Sequence, residues 1–259
     1  MTAIRTRHIT GENDLRGNII HFARDDLGGI LVIDYRKHRV MTFNSVFEQS
    51  KIARRRPYLP VHEYSRAMLL PVAFSTPAHV TILGLGGGVF ANALLHLLPE
   101  CQVHAVELRQ TVVDVAREYF YLSESPRLTV TIEDARNAIE AMPDGHTDLI
   151  LADMYSADRM SPTQVQREFI KQCSRVLSDS GWIALNYHRT PDLNGAFFKQ
   201  LQGEFAVVLA FKSKTNNTVI YGSKKPVELP ANTDPHLGEL DNILPIDWRR
   251  LVARVIRLC

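Results

Sequence analysis

The chain of 259 residues has few cysteines, almost no net charge and no long apolar run. Its three cysteines, Cys101, Cys173 and Cys259, are scattered and odd in number, with no C-x-x-C pair. That pattern argues against a disulfide framework or a structural zinc site and sets a reducing, cytoplasmic setting as the expectation. No stretch approaches the ~18 apolar residues a membrane-spanning helix requires, and the opening MTAIRTRHITGEND lacks an apolar signal core. A formal net charge of +2 calls for neither nucleic acid nor an anionic membrane as partner. Apolar content is ordinary for a globular protein, and the length suits one α/β domain with an appendage.

What the chain does have is a glycine-rich stretch from His79 to Glu107 that orders everything around it. Val80, Ile82 and Leu83 read as a strand buried on both faces of a parallel sheet. Gly84, Gly86, Gly87 and Gly88 then form a turn without Cβ atoms, open to close approach by a ligand. Helical spacing resumes from Phe90 to Leu98 until Pro99 stops it. A second strand ends in Glu107, about 20 residues beyond the turn, where a carboxylate meets ribose hydroxyls. No Gly-Lys-Ser/Thr follows, so the turn is not a phosphate loop, and Ala91 and Asn92 stand where a dinucleotide fingerprint has its last glycine. The pattern points to an adenosyl ligand without phosphates.

The rest of the chain falls into three expected parts. Residues 1–56 read as a small antiparallel β domain, with ILVID and RVMTF as a hairpin, ending in the basic run Lys51–Arg56 (KIARRR), a solvated loop before Pro57. An acidic partner or nucleic acid is the sharper reading of that run. Residues 57–225 carry a helix, HEYSRAMLLPVAF, with Tyr64, Met68 and Val72 on one face, and then alternating strands and helices. That alternation predicts parallel βα units with helices on both faces and an antiparallel edge. Residues 163–177 and 192–202 read as helices, Ser178–Gly181 as a turn, and 205–211 and 217–222 as strands. Residues 226–259 open in a proline-rich segment and close in a basic amphipathic helix, DWRRLVARVIRLC, packed back on the domain or at a dimer interface. Three successive strands end in Glu107, Asp134 and Asp153, where open α/β sheets gather ligands. A lone strand-end Asp is most often a helix cap, but three in series beside a glycine turn mark a site. Glu107 would take ribose hydroxyls, Asp134 with the Ala135 amide the adenine edge, and Asp153 the reacting centre.

The motifs GLGGG, VEL, EDA and LADMYSA, preceded by EQS and EYSRAM, resemble the spermidine synthase (polyamine aminopropyltransferase) family, closest to its bacterial spermidine-synthase-like branch. The likeness runs from about Gly29 to Gly222. It implies a small N-terminal β domain followed by a Rossmann-like domain of the AdoMet-dependent methyltransferase kind, a homodimer, and transfer of an aminopropyl group from decarboxylated AdoMet to putrescine, without a metal. Carried over residue by residue, Asp153 corresponds to the family's proton-accepting Asp, Tyr64 to its pocket Tyr and Gln49 to its nucleoside-binding Gln. Leu108 and Tyr155 join Glu107, Asp134 and Ala135 around the nucleoside.

Departures cluster where the family holds cationic groups. Val89 stands in place of an Asp that holds the aminopropyl ammonium, Ser156 in place of a second amine-binding carboxylate, and Ser65 and Arg66 in place of His and Glu. Buried unpaired charge is costly. An aminopropyltransferase with this sequence would therefore draw its amine contacts from elsewhere, such as Asp158 or Glu63. An AdoMet-dependent methyltransferase is the second reading, with Arg66 facing the methionine carboxylate. A non-catalytic nucleoside-thioether-binding module is the third.

Overall fold

The computed structural model describes residues 17–43, 48–154, 166–187, 190, 192–215 and 217–259. The N-terminal part is a five-stranded antiparallel sheet in simple order: β1 (Asn18–Asp25), β2 (Gly28–Asp34), β3 (His38–Phe43), β4 (Glu48–Ala53) and β5 (Arg56–Pro60). The expected hairpin is β2–β3, with Ile33 opposite Val40. The basic run is not a loop. Lys51 and Ile52 lie in β4 and Arg56 opens β5, so only Arg54 and Arg55 form the turn between two paired strands. Ile52, fully buried among those charges, supplies the inward-facing residue that makes the segment a strand. Lys51 meets Glu48 at 3.1 Å, so this charge is answered within the sheet.

A short helix, α1 (Glu63–Met68), and a 3₁₀ turn (Leu70–Ala73) lead into the larger sheet. The single expected helix is split because Pro71 lacks the N–H that would continue it. The chain then runs β6 (His79–Leu83), α2 (Val89–Leu97), β7 (Gln102–Glu107), α3 (Gln110–Tyr119), β8 (Leu128–Ile132), α4 (Ala135–Ala141) and β9 (Thr147–Ala152). It continues through α5 (Arg167–Val176), β10 (Leu177–Tyr187), α6 (Ala196–Glu204), β11 (Val207–Lys212) and β12 (Thr218–Ser223). With a last short strand, β13 (Ile256–Arg257), the strand order is β13-β11-β12-β10-β9-β6-β7-β8. β10, β9, β6, β7 and β8 are parallel, and β12 joins β10 antiparallel to make the expected edge.

Alternate residues of each central strand enter different cores, which is why the strands read as unbroken apolar runs. Val80, Ile82, Leu149 and Leu151 pack against α2 on one face, while Leu83, Ile150 and Ala152 meet α4 and α5 on the other. A third apolar cluster joins the two sheets: Ile30, Val32, Met41 and Ile52 from the N-terminal sheet, Val112 and Val115 from α3, Phe120, and Val89. The ion pair of Arg109 with Asp25, at 2.8 Å, ties the same junction.

Two expectations near the C-terminus fail. Ser178–Gly181 falls within β10, as an irregularity in its pairing with β9 between Leu177 and Trp182, because the chain stays at the sheet while it turns. The final segment is not one helix. Trp248–Val252 forms a short α8, and Ile256–Arg257 forms β13, which adds to the edge of β11. Trp248, Leu251, Val252 and Val255 pack into the core as expected, whereas Ile256 is 57% exposed on the added strand. A helix, α7 (Pro235–Ile243), occupies the proline-rich stretch. The sequence reading missed this helix, which Asp234 caps, accepting from His236 N, and which Pro235 opens at a position where no N–H is needed.

Candidate active site

Strand order reverses between β6 and β9, so a crevice opens at their carboxyl ends. The glycine turn rises from β6 on one side, and Asp153 ends β9 on the other. They are in contact. A Cβ built on Gly84, whose φ is +89°, would lie 2.5 Å from the Asp153 carbonyl oxygen, so only glycine fits. The Asp153 N–H in turn donates to the Leu83 carbonyl at 2.9 Å.

Every backbone N–H of the turn is already taken. Gly84 donates to Val106 O at 2.9 Å and Gly88 to Leu85 O at 2.9 Å. Leu85 and Gly86 both donate to Glu107 Oε2, at 3.0 and 3.3 Å. Gly87 donates to Ser50 Oγ at 2.7 Å. A phosphate cradle needs free amides pointing at the anion, and residues 84–88 offer none. What the turn offers is bare backbone against which a flat, uncharged group can lie.

Glu107 is 8% exposed and does more than end a strand. Besides the two turn amides, its Oε1 accepts from Arg109 N at 3.1 Å. Burial raises its pKa, and these backbone donors oppose the rise. It anchors the glycine turn to the end of β7, and Leu108 beside it is exposed. Asp134 is exposed at the end of β8 and caps α4, accepting from Arg136 N at 2.8 Å, with Ala135 opening the helix. The ordinary helix-capping role is therefore in place for Asp134. Gln49 lies in β4 next to Ser50, which reaches the turn. Tyr155, with Ser156 and Asp158, falls outside the described residues.

Asp153 has the most unusual electrostatics. Burial pushes its pKa from an ordinary 3.8 up to about 6, against two hydrogen bonds that favour the charged form, from Asn186 and Tyr64. The Asn186 amide donates to Asp153 Oδ1 at 2.7 Å, and Asn217 Nδ2 donates to Asn186 Oδ1 at 3.0 Å. Tyr64 stacks on His62, with ring centroids 5.7 Å apart. His62 is held below its ordinary pKa by burial first, and Lys51, His38 and Arg66 push the same way against Glu48. Arg66 donates to the Pro60 carbonyl at 2.9 Å, which ties it to β5. Val89, at the start of α2, is buried in the apolar cluster between the two sheets.

The crevice thus brings together Gly84–Gly88, Glu107, Asp153 and Tyr64, with β4 laid across the turn. Sequence reasoning missed Ser50, Asn186 and Asn217. Asn186 carried a usable signal, a lone amide inside the apolar run of β10. Ser50 carried none, since its partner lies 37 residues away. A separate cavity of about 390 Å³, lined by His79, Thr81, His104, Thr129 and Thr131 among others, opens at the amino ends of the same strands and takes no part here.

With this geometry in hand, the relatives fall into two groups. A family profile described as "Methyltransferase domain" matches residues 80–181. A polyamine aminopropyltransferase of Vibrio vulnificus is 29% identical over 203 residues, covering 73% of this chain and 67% of that protein. Over that span the chain is similar to polyamine aminopropyltransferases. A probable spermidine synthase from Corynebacterium glutamicum shares the fold with a TM-score of 0.71 at 20% identity, over 87% of this chain and 86% of that one. Human methyltransferase-like protein 13, solved in complex with SAH, superposes with a TM-score of 0.60 at 24% identity, over 73% and 93% of the two chains. Both groups of relatives are transferases.

Proposed function

We propose that this spermidine-synthase-like protein transfers an aminopropyl group from decarboxylated AdoMet to a small amine such as putrescine. One observation carries the reading: a strand-end carboxylate, Asp153, with a pKa near 6, hydrogen-bonded by Tyr64 and Asn186 and set against a glycine turn with no free amide. An acceptor amine is protonated at neutral pH and must lose a proton before it can attack. Asp153 is ionised above about pH 6 and accepts that proton. The amine nitrogen then bonds to the carbon beside the sulfonium, the C–S bond breaks, and its electron pair leaves on sulfur as neutral methylthioadenosine. Tyr64 holds the Asp153 carboxylate in place for this exchange. Glu107 and Gln49 would take the ribose, and Asp134, Ala135, Leu108 and Tyr155 the base. The relatives named as aminopropyltransferases, and a structural neighbour bound to SAH, support a ligand of the adenosyl sulfonium or thioether class.

A second reading, methyl transfer from AdoMet itself, is favoured by one feature. Val89 is packed in an apolar cluster, and α2 therefore begins without a carboxylate to hold a cationic tail. The first test is turnover. The protein incubated with decarboxylated AdoMet and putrescine should release methylthioadenosine, read by chromatography. Release of S-adenosylhomocysteine from AdoMet, with no methylthioadenosine from the decarboxylated donor, would overturn the aminopropyl reading.

A further inference from the structure

The glycine turn is held from outside its own domain. Ser50, on β4 of the N-terminal sheet and 7% exposed, accepts the Gly87 N–H at 2.7 Å. A Cβ on Gly86 would sit 2.6 Å from the same oxygen, so strand and turn are in close contact. From the other side, a Cβ on Gly87 would lie 2.8 Å from Phe120 Cδ1, and one on Gly88 2.5 Å from Leu122 Cδ1. Between those two side chains Tyr121 adopts φ 57°, a conformation its surroundings must impose on a tyrosine. The N-terminal sheet reaches this segment as well. Arg39 on β3 donates to the Tyr119 carbonyl at 2.6 Å and is itself fixed by Asp34, Nε to Oδ1 at 2.6 Å.

We propose that the N-terminal sheet is the positioning element of the donor site, with Ser50 setting the glycine turn through Gly87. The proposal rests on the nucleoside reading above. Without the Ser50 oxygen, the Gly87 N–H is enclosed between β4 and Phe120 with no acceptor, and the turn must shift to satisfy it. That shift would move Gly86 and its bond to Glu107 Oε2, the two features that shape the nucleoside side of the crevice. Asp153, held by Asn186 and Tyr64, would be left as it is. Ser50 is therefore a positioning residue and not a catalytic one.

The test is Ser50→Ala, studied by calorimetric titration with methylthioadenosine and by steady-state kinetics. The variant should bind methylthioadenosine about three- to tenfold more weakly, the worth of one hydrogen bond. Its donor KM should rise by the same factor, with kcat and the midpoint of the pH profile unchanged. Unchanged affinity in Ser50→Ala, or a fall in kcat at constant donor KM, overturns the proposal. Failure of the wild-type protein to bind methylthioadenosine would instead overturn the functional reading on which it rests.

Discussion

Replacing Asp153 by Asn should stabilise the protein while it removes turnover, and the size of the gain should depend on pH. Asparagine keeps the shape and an oxygen to accept from Asn186; it deletes the charge and turns the other carboxylate oxygen into an amide donor, toward which the Tyr64 hydroxyl turns its oxygen. Asp153 shifts from 3.8 to about 6. A rise of that size sets a ceiling of roughly 3 kcal/mol on the cost of ionising it in the folded state. Asp153 is mostly buried but keeps some solvent access, and screening lowers that to about 1–2 kcal/mol. The folded-state pKa is raised, so the proton stabilises the fold. That contribution is fully present below pH 3.8 and lost as pH rises through about 6. The difference in Tm between Asp153→Asn and wild type should therefore be smallest near pH 4, grow between pH 4 and 6, and level off at roughly 2–8 °C above that. His62, whose pKa is lowered, and Asp25, Asp34 and Glu63, also lowered, titrate in both proteins and cancel in the comparison. Thermal unfolding followed by circular dichroism from pH 4 to 8 measures this. A difference that does not change with pH, or a variant that melts below wild type at pH 7.5, would show that ionising Asp153 carries no such cost. Turnover should fall by about 10²- to 10⁴-fold, while methylthioadenosine affinity stays within several-fold.

Gly84→Ala should lose both folding yield and activity, because its Cβ would meet the Asp153 carbonyl at 2.5 Å with φ at +89°; a soluble variant with wild-type kinetics would show that the turn is not so constrained. Val89→Asp should fail to create an amine-binding carboxylate, since it would bury a charge among Ile30, Val32 and Phe120; we expect a loss of about 3 kcal/mol or more in urea denaturation, and improved putrescine KM at full stability would contradict this.

How much of this was legible depended on whether a residue's role is local. The larger sheet was readable because both of its faces are buried and each of its parallel strands is followed by a helix at the right period. The glycine turn and the three acidic strand ends were readable for the same reason, since topology fixes which strand ends lie together. What tertiary packing decides was not readable. KIARRR looks like a loop until Ile52 is seen buried under it. DWRRLVARVIRLC has helical spacing, yet its last turns exchange helix for a strand on the open edge of β11. Asp134 shows the opposite case, where the common role of a strand-end Asp as a helix cap is the one the fold uses. Val89 marks a departure whose meaning came only from packing, because the sequence showed the missing carboxylate but not the apolar cluster that replaced it.

A crevice made for aminopropyl transfer takes a sulfonium donor without its carboxylate and passes the aminopropyl group to an amine. Side-by-side calorimetric titration with decarboxylated AdoMet and AdoMet, in the presence of putrescine, tests it most directly. Tighter binding of decarboxylated AdoMet is the predicted result; tighter binding of AdoMet would contradict it.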